Sequence, residues 1–308
     1  MINGMHHVTA IASDPQTNID FYSGVLGLRL VKRTINYDDP GTYHFYYGDG
    51  LGRPGTILTF FPIPGVRRGR VGTGQVVTTA LSIPVGATAF WRTRLENKGI
   101  PFEENGVGIL LADPDGLPLI LTEVAGDTRP GDNGKGDVPQ EYAIRGIDSV
   151  TLQVAQASPT LELLTERMGF GISNEGMGRF TIGADVSGNA IYVQEAEEGD
   201  AHGLSGPGTV HHVAFRLPDD DTQTKWRDEL LTLGYHVSPI MDRQYFHSIY
   251  YREPGGILFE LATDPPGFMA DGETEATLGQ KLQLPQRLEA KREMIEAHLP
   301  NVTINLHS

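Results

Sequence analysis

Apolar and polar positions along this chain alternate in short bursts, and the bursts repeat. Gly4-Met5-His6-His7-Val8-Thr9 returns as Gly146-Ile147-Asp148-Ser149-Val150-Thr151. In the same way Gly74-Gln75-Val76-Val77-Thr78-Thr79-Ala80-Leu81 is echoed by Gly208-Thr209-Val210-His211-His212-Val213-Ala214-Phe215. Each phrase reads as the opening of a strand. A stretch with helical spacing follows each one and stops at a glycine, the residue that most readily takes positive φ at a helix C-terminus. The stops are Gly27, Gly99, Gly169 and Gly234, and their separations of 72, 70 and 65 residues (99−27, 169−99, 234−169) leave room after each helix for three short strands. The predicted unit is βαβββ, written four times.

The closing strands also match. Asp113-Pro114-Asp115-Gly116-Leu117 corresponds to Glu253-Pro254-Gly255-Gly256-Ile257, and Arg53-Pro54-Gly55-Thr56-Ile57 echoes both. The third unit is the most diverged, with Gly188-Asn189-Ala190-Ile191-Tyr192-Val193 as its last strand. Residues 126–136, rich in Gly and Asp and without apolar periodicity, read as a linker or surface loop. Beyond Asp264-Pro265-Pro266 the chain turns polar and then helical over 284–298, where Leu288, Met294 and Ile295 suggest one apolar stripe. The expected class is α+β, with units one and two in residues 1–140, units three and four in 141–268, and a helical tail in 269–308.

Composition narrows the chemistry. Hydrophobic residues make up 39% and charged ones 20% of the 308 residues, a soluble globular profile. The 24 Lys+Arg against 39 Asp+Glu give a formal charge of −15, which repels nucleic-acid backbones and anionic membrane surfaces, so neither is an expected partner. There is no cysteine, which removes disulfides, thiolate catalysis, zinc-thiolate sites and iron–sulfur clusters together. Any metal is therefore held by His and carboxylate. The N-terminal residues show no basic stretch followed by an apolar one, and no run of roughly 18 apolar residues occurs, so a cytoplasmic location is expected. Oligomeric state is left open, a homo-oligomer included.

Strand alternation selects candidate ligands, because only one histidine of each His-His pair can enter a given cavity. His6 shares a face with Val8 and Ala10, and His211 shares one with Val213, Phe215 and Leu217. Those apolar companions mark the face under the helix, which leaves His7 and His212 facing the cavity. Glu260 is the one charge within the apolar strand Gly255-Gly256-Ile257-Leu258-Phe259-Glu260-Leu261-Ala262, and a carboxylate there needs a cation or strong donors beside it. In register, His7 matches Ser149, His212 matches Thr78, Glu260 matches Ile120, and the first unit places Phe60 at the Glu260 position. Two His and one carboxylate remain, the face that leaves positions open in non-haem Fe(II) oxygenases.

With these motifs, the chain resembles the vicinal-oxygen-chelate superfamily of glyoxalase I, antibiotic-resistance binding proteins and extradiol ring-cleaving dioxygenases. Phe21-Tyr22-Ser23-Gly24-Val25-Leu26-Gly27 and Asp242-Arg243-Gln244-Tyr245-Phe246-His247-Ser248-Ile249-Tyr250-Tyr251-Arg252, with the opening Gly4-to-Thr9 phrase, are most similar to the para-hydroquinone ring-cleaving dioxygenases. The resemblance implies two cup-shaped mixed sheets, with the active cup formed by units one and four and an empty cup by units two and three. It implies His7, His212 and Glu260 as metal ligands and supporting roles in catalysis for His6, Thr9, His211, Arg243 and Tyr250. The implied cofactor is Fe(II), with Mn, Zn or Ni able to fill the site as isolated, and the implied partners are O2 and a small hydroquinone or catechol-like aromatic. Placing His6 and His211 beside the metal conflicts with their apolar strand companions, and a strand bulge would resolve the conflict. Two other readings remain: a metal-independent aromatic- or drug-binding protein of the same fold, and a glyoxalase-type metal-dependent isomerase.

Overall fold

A computed structural model describes residues 2–132, 136–172, 179–182 (backbone only) and 190–304. The first unit runs β1 (Met5–Ala12), α1 (Pro15–Ile19, continued by a π turn over Asp20–Val25), β2 (Arg29–Ile35), β3 (Tyr43–Gly48) and β4 (Ile57–Pro62). The second comprises β5 (Gln75–Ile83), α2 (Thr88–Lys98), β6 (Phe102–Asn105), β7 (Gly108–Ala112) and β8 (Pro118–Glu123). The third has β9 (Gly146–Val154), α3 (Ala157–Glu162, continued by a π turn over Leu163–Arg167), β10 (Phe170–Ile172), β11 (Arg179–Ile182) and β12 (Ala190–Glu195). The fourth has β13 (Thr209–Leu217), α4 (Asp220–Thr232), β14 (Met241–Asp242), β15 (Phe246–Arg252) and β16 (Leu258–Pro266). Of the six residues read as the last strand of unit three, Gly188 and Asn189 lie outside the described residues, and the other four open β12.

The helix boundaries follow from local chemistry. Asp14 caps α1 by accepting from the Thr17 amide at 2.8 Å, and Asp219 caps α4 by accepting from the Thr222 amide at 2.7 Å. The helical segment of each of the four units is followed by its expected glycine, with φ of 67° at Gly27, 67° at Gly99, 80° at Gly169 and 88° at Gly234. At Gly27 an added Cβ would also lie 2.5 Å from Val138, so packing as well as φ requires glycine there.

The strands form two eight-stranded mixed sheets, in the orders β14-β15-β16-β13-β1-β4-β3-β2 and β10-β11-β12-β9-β5-β8-β7-β6. Units one and four share the first sheet through the antiparallel pair β1/β13, and units two and three share the second through β5/β9. Within each unit the opening and closing strands run parallel, as in β1/β4 and β13/β16. The architecture is α+β with cup-forming mixed sheets, as expected. Val8, Val213, Phe215 and Phe60 turn away from the cup into the main core with Tyr22 and Trp91, all buried. A fully buried side chain of this size stabilises by about 1.5–3 kcal/mol.

The tail runs along β2, which would otherwise be an open sheet edge. Gln283 donates its amide to the Arg33 carbonyl at 2.9 Å, and Thr34 donates its hydroxyl to the Gln283 carbonyl at 2.7 Å. The fully buried Lys32 ammonium is paired with Asp271 at 2.7 Å and with Glu273. The helical part of the tail is a 3-10 turn over Gln286–Lys291 followed by α5 (Arg292–His298). Ile295 is buried and Leu288 packs against the core, but Met294 is 54% exposed and does not belong to the apolar stripe expected of it. Met294 and Ile295 are neighbours on α5 and point about 100° apart, so burying Ile295 turns Met294 away from the core. No helix among the described residues is long and apolar enough to cross a membrane.

Candidate functional site

The pairing of β1 with β13 is irregular at two places. Met5 pairs with Phe215 and His7 with Ala214, so His6 is an extra residue on β1; Thr9 pairs with His212 and Ala10 with Val210, so His211 is an extra residue on β13. Each His-His pair thus straddles a bulge, which re-aims side chains beside a site. In this geometry His7 and His212 face the cup, and His6 and His211 bond to them from the side.

Two rows of residues cross the cup at this point. One is His7–Ala214–Glu260–Tyr250, over β1, β13, β16 and β15. The other is His212–Thr9–Thr59–Tyr46, over β13, β1, β4 and β3. The rows are related by the repeat: His7 corresponds to His212, Ala214 to Thr9, Glu260 to Thr59 and Tyr250 to Tyr46. Phe60 was the sequence match to Glu260, and that register is off by one. The left-handed glycine of each closing turn sets the alignment: Gly55 (φ 88°), Gly116 (φ 85°) and Gly256 (φ 92°) each lie four residues before the position concerned (59−55, 120−116, 260−256). Phe60 points to the core, its ring 4.2 Å from that of Tyr22. The reading that the first unit offers no carboxylate as a fourth ligand at this position is unchanged, because the position holds a threonine.

His7, His212 and Glu260 are buried and converge. The two Nε2 atoms are 3.1 Å apart, and Glu260 Oε2 lies 2.8 Å from His212 Nε2 and 3.3 Å from His7 Nε2. Despite these distances Oε2 receives no well-oriented hydrogen bond. The opposite end of each group is held: His7 Nδ1 lies 2.9 Å from His6 Nδ1, His212 Nδ1 lies 2.8 Å from His211 Nδ1, and Glu260 Oε1 accepts from the Ser248 hydroxyl. With the Nδ1 protons directed at His6 and His211, both Nε2 lone pairs and Oε2 face one point, and a cation there satisfies all three. Burial alone would push the Glu260 carboxyl up, but the His7 and His212 imidazoles hold it well below the usual carboxylate range. Burial pushes the His212 imidazole down, which favours the neutral, ligating form. The residues present fit a divalent metal.

A cavity of about 490 Å³ opens over the triad, lined among others by His44, Tyr46, Phe61, His211, Arg243, Phe246 and Tyr250. Arg243 and Tyr250 are joined, the Arg243 Nε donating to the Tyr250 hydroxyl at 3.2 Å, and burial pushes the Tyr250 phenol up. His211 is exposed to the cavity, whereas His6 is buried behind His7 against the Phe246 ring at 5.0 Å. Thr9 is fully buried and does not line the cavity; its hydroxyl lies 2.8 Å from that of Thr59. Sequence reasoning missed His44 and Tyr46. His44 Nε2 lies 2.8 Å from Thr59 Oγ1 and its Nδ1 lies 2.9 Å from the Tyr46 hydroxyl, so His44 bonds Thr59 much as its repeat partner Ser248 bonds Glu260. Burial pushes the His44 imidazole well down. The signal that could have found it is the alternation His44-Phe45-Tyr46 read against the repeat.

In the second sheet Thr78, Ser149 and Ile120 line a cavity of about 470 Å³. They stand where His212, His7 and Glu260 stand in the first. The bulges are conserved in form, with Val77 and Asp148 as the extra residues, but the ligands are absent.

Comparison with known proteins agrees with this geometry. The family model described as "Glyoxalase/Bleomycin resistance protein/Dioxygenase superfamily" matches residues 4–119 and 146–261. The chain is 46% identical over 305 residues, covering 96% of this chain and 95% of the relative, to a Bacillus subtilis protein named "Putative ring-cleaving dioxygenase MhqO". It is 32% identical over 315 residues (95% and 94%) to the chlorohydroquinone/hydroquinone 1,2-dioxygenase of Sphingobium indicum. A crystal structure of a "putative dioxygenase" from Bacillus subtilis superposes with a TM-score of 0.89 at 44% identity, covering 99% of this chain and 98% of that one. Glyoxalase I from Zea mays, at 13% identity and a TM-score of 0.64 over 85% of this chain and 92% of that one, shares the fold.

Proposed function

The chain belongs to the Glyoxalase/Bleomycin resistance protein/Dioxygenase superfamily, and from that premise we propose that it is a non-haem Fe(II) dioxygenase that opens the ring of a hydroquinone or catechol-like aromatic beside a hydroxyl-bearing carbon. His7, His212 and Glu260 would hold the iron, and manganese, zinc or nickel could fill the same N/O site on isolation. When bound, the metal would supply the Lewis acidity and electron transfer that let a phenol and dioxygen react. The observation that carries the reading is the convergence of three candidate ligand atoms, with Thr59 rather than a second carboxylate at the matching position, on the floor of a cavity walled by Phe61, Phe246, Tyr46 and Tyr250. The named activities of the relatives support the substrate class.

The remaining side chains fit such a reaction. Phe61 and Phe246 offer apolar faces to a flat ring. The Arg243 guanidinium supplies positive charge where a phenol becomes a phenolate. Because Arg243 donates to the Tyr250 oxygen, the phenolic proton of Tyr250 is left for an acceptor in the cavity, and the raised phenol retains it at neutral pH. His44, kept neutral by burial, stands on the facing strand beside Tyr46. An isomerase of the glyoxalase type calls for a fourth protein ligand, and Thr59 occupies that position. A binding protein has no need of the triad.

The test is anaerobic reconstitution with Fe(II) followed by oxygen uptake with a panel of hydroquinones and catechols, with Glu260→Ala as control. Iron-loaded protein that consumes no oxygen with any of them would overturn the proposal. Metal retention in Glu260→Ala equal to wild type would remove its structural basis.

A further inference from the structure

We propose that Asp38, in the loop between β2 and β3, is a positioning residue that fixes the Arg243 guanidinium over the cavity. The inference deepens the functional reading and rests on it for the identity of the substrate.

Two loops meet across the cavity, one from each end of the first sheet. Asp38 Oδ2 accepts from Arg243 Nη2 at 3.1 Å, and one residue earlier the Tyr37 hydroxyl donates to Gln244 Oε1 at 3.2 Å. Consecutive residues of one loop therefore grip consecutive residues of the other. Gln244 is the only described non-glycine residue with positive φ, at 68°. Such a conformation persists only where the surroundings over-determine it. Here they do: the Gln244 amide donates to Asp242 Oδ1 at 2.7 Å, the Arg243 amide to the Phe246 carbonyl at 3.0 Å, and the Tyr245 amide to the Arg243 carbonyl at 2.8 Å.

With its backbone fixed, Arg243 retains only side-chain torsions, and two bonds restrain these. Its Nε is tied to Tyr250 and its Nη2 to Asp38. Without Asp38 the guanidinium would be held at one edge and could swing about the Tyr250 bond. The loop that presents Asp38 is itself prefolded, since the Asp38 amide donates to Asn36 Oδ1 at 3.0 Å and Asp39 Oδ2 accepts from the Thr42 hydroxyl at 2.7 Å. The Asp38 side chain is 63% exposed. An ion pair that open adds little to stability. Its loss should therefore register in what Arg243 does and leave the fold's stability unchanged.

The experiment compares Asp38→Asn, Arg243→Ala and the double variant with wild type, all loaded to equal iron content. It measures thermal stability, kcat and KM by oxygen uptake with a hydroquinone. Separately, the affinity of the metal-free proteins for 4-nitrophenol is read from the visible band of its phenolate. A misplaced group of this kind costs on the order of tenfold in kcat or more. Asp38→Asn should show that loss with unchanged thermal stability, and should change kcat by no more than about twofold when Arg243 is already alanine. Equal losses in both backgrounds, or no loss in wild type, would overturn the proposal. If wild type consumes no oxygen, the functional reading fails and the 4-nitrophenol measurement decides alone. Asp38→Asn must then shift the dissociation constant by about threefold or more with Arg243 present and not in its absence. An equal shift in both backgrounds, or none in either, rejects the positioning role.

Discussion

Thr59 sits across from Thr9 in the β1/β4 pair as Glu260 sits across from Ala214 in β13/β16. One arm of the repeat carries a carboxylate and the other a hydroxyl, and that difference should set how many positions on a bound metal stay open.

Thr59→Glu should therefore close the site. A fourth protein ligand is the arrangement of closed metal sites, so divalent-metal retention should rise by about tenfold or more while oxygen consumption is lost. Without metal the variant should melt below wild type, because a second carboxylate is then buried near Glu260 without a partner. Chelator competition and oxygen uptake on the same preparation check both. Oxygen consumption at the wild-type rate would show that Thr59 does not face the metal position.

His6 and His211 hold the outer nitrogens of His7 and His212. Outer partners of this kind are worth about 10–100-fold in metal affinity or activity. His6→Ala and His211→Ala should each weaken metal binding on that scale, measured by competition with a chromogenic chelator. His211, exposed to the cavity, should affect turnover as well. Unchanged affinity in both variants would mean that the bulges alone orient His7 and His212.

Arg243→Ala and Tyr250→Phe should leave iron content unchanged and slow single-turnover oxygen consumption. Loss of one positioned donor to developing negative charge costs about 2.7–4 kcal/mol, or on the order of 10²–10³ in rate. Turnover at the wild-type rate in both would make these residues structural.

Asp113 offers a pH test away from the site. Burial pushes its carboxyl up to about 6, despite the amides of Leu117 and Asp115 and the Tyr22 hydroxyl that it accepts. The folded protein then holds this proton more tightly than the unfolded chain. The contribution of Asp113 is most favourable below about pH 4 and is lost as pH rises through about 6. A rise of about two units corresponds to about 3 kcal/mol. The stability of Asp113→Asn minus that of wild type, from denaturant unfolding, should grow by about that amount between about pH 4 and pH 7. A flat difference across the range would refute the raised carboxyl.

The parts of this architecture legible in the sequence are those written by local rules. Gly27, Gly99, Gly169 and Gly234 announce the ends of the helices because few other residues take positive φ at low cost. His7, His212 and Glu260 stand out because strand alternation and a lone charge are visible along the chain. What the sequence concealed depends on register between strands. Aligning Gly55 with Gly255 rather than with Gly256 moved the fourth position from Thr59 to Phe60, since a one-residue slip reverses the face of every side chain. His44 and Tyr46 reach the cavity because β3 pairs with β4, which only their alternation around Phe45 hints at along the chain, and Asp38 reaches it from the loop before β3, which nothing in the spacing marks. Met294 was misread because it is adjacent to Ile295, and neighbouring helical residues point about 100° apart, so one narrow stripe cannot hold both.

The central joint of the first sheet has a consequence for synthesis. β1 is bordered on one side by β4 and on the other by β13, and 253 residues separate His7 from Glu260 (260−7). At about 5–20 residues per second, a ribosome would take roughly 10–50 s to bridge that interval. Until β13 (Thr209–Leu217) is made β1 waits with one unpaired edge, and until Glu260 follows on β16 the three candidate ligands cannot converge. If the proposed iron binds there, it could be captured only after the last strands emerge, so metallation would be timed by the order in which the strands are made.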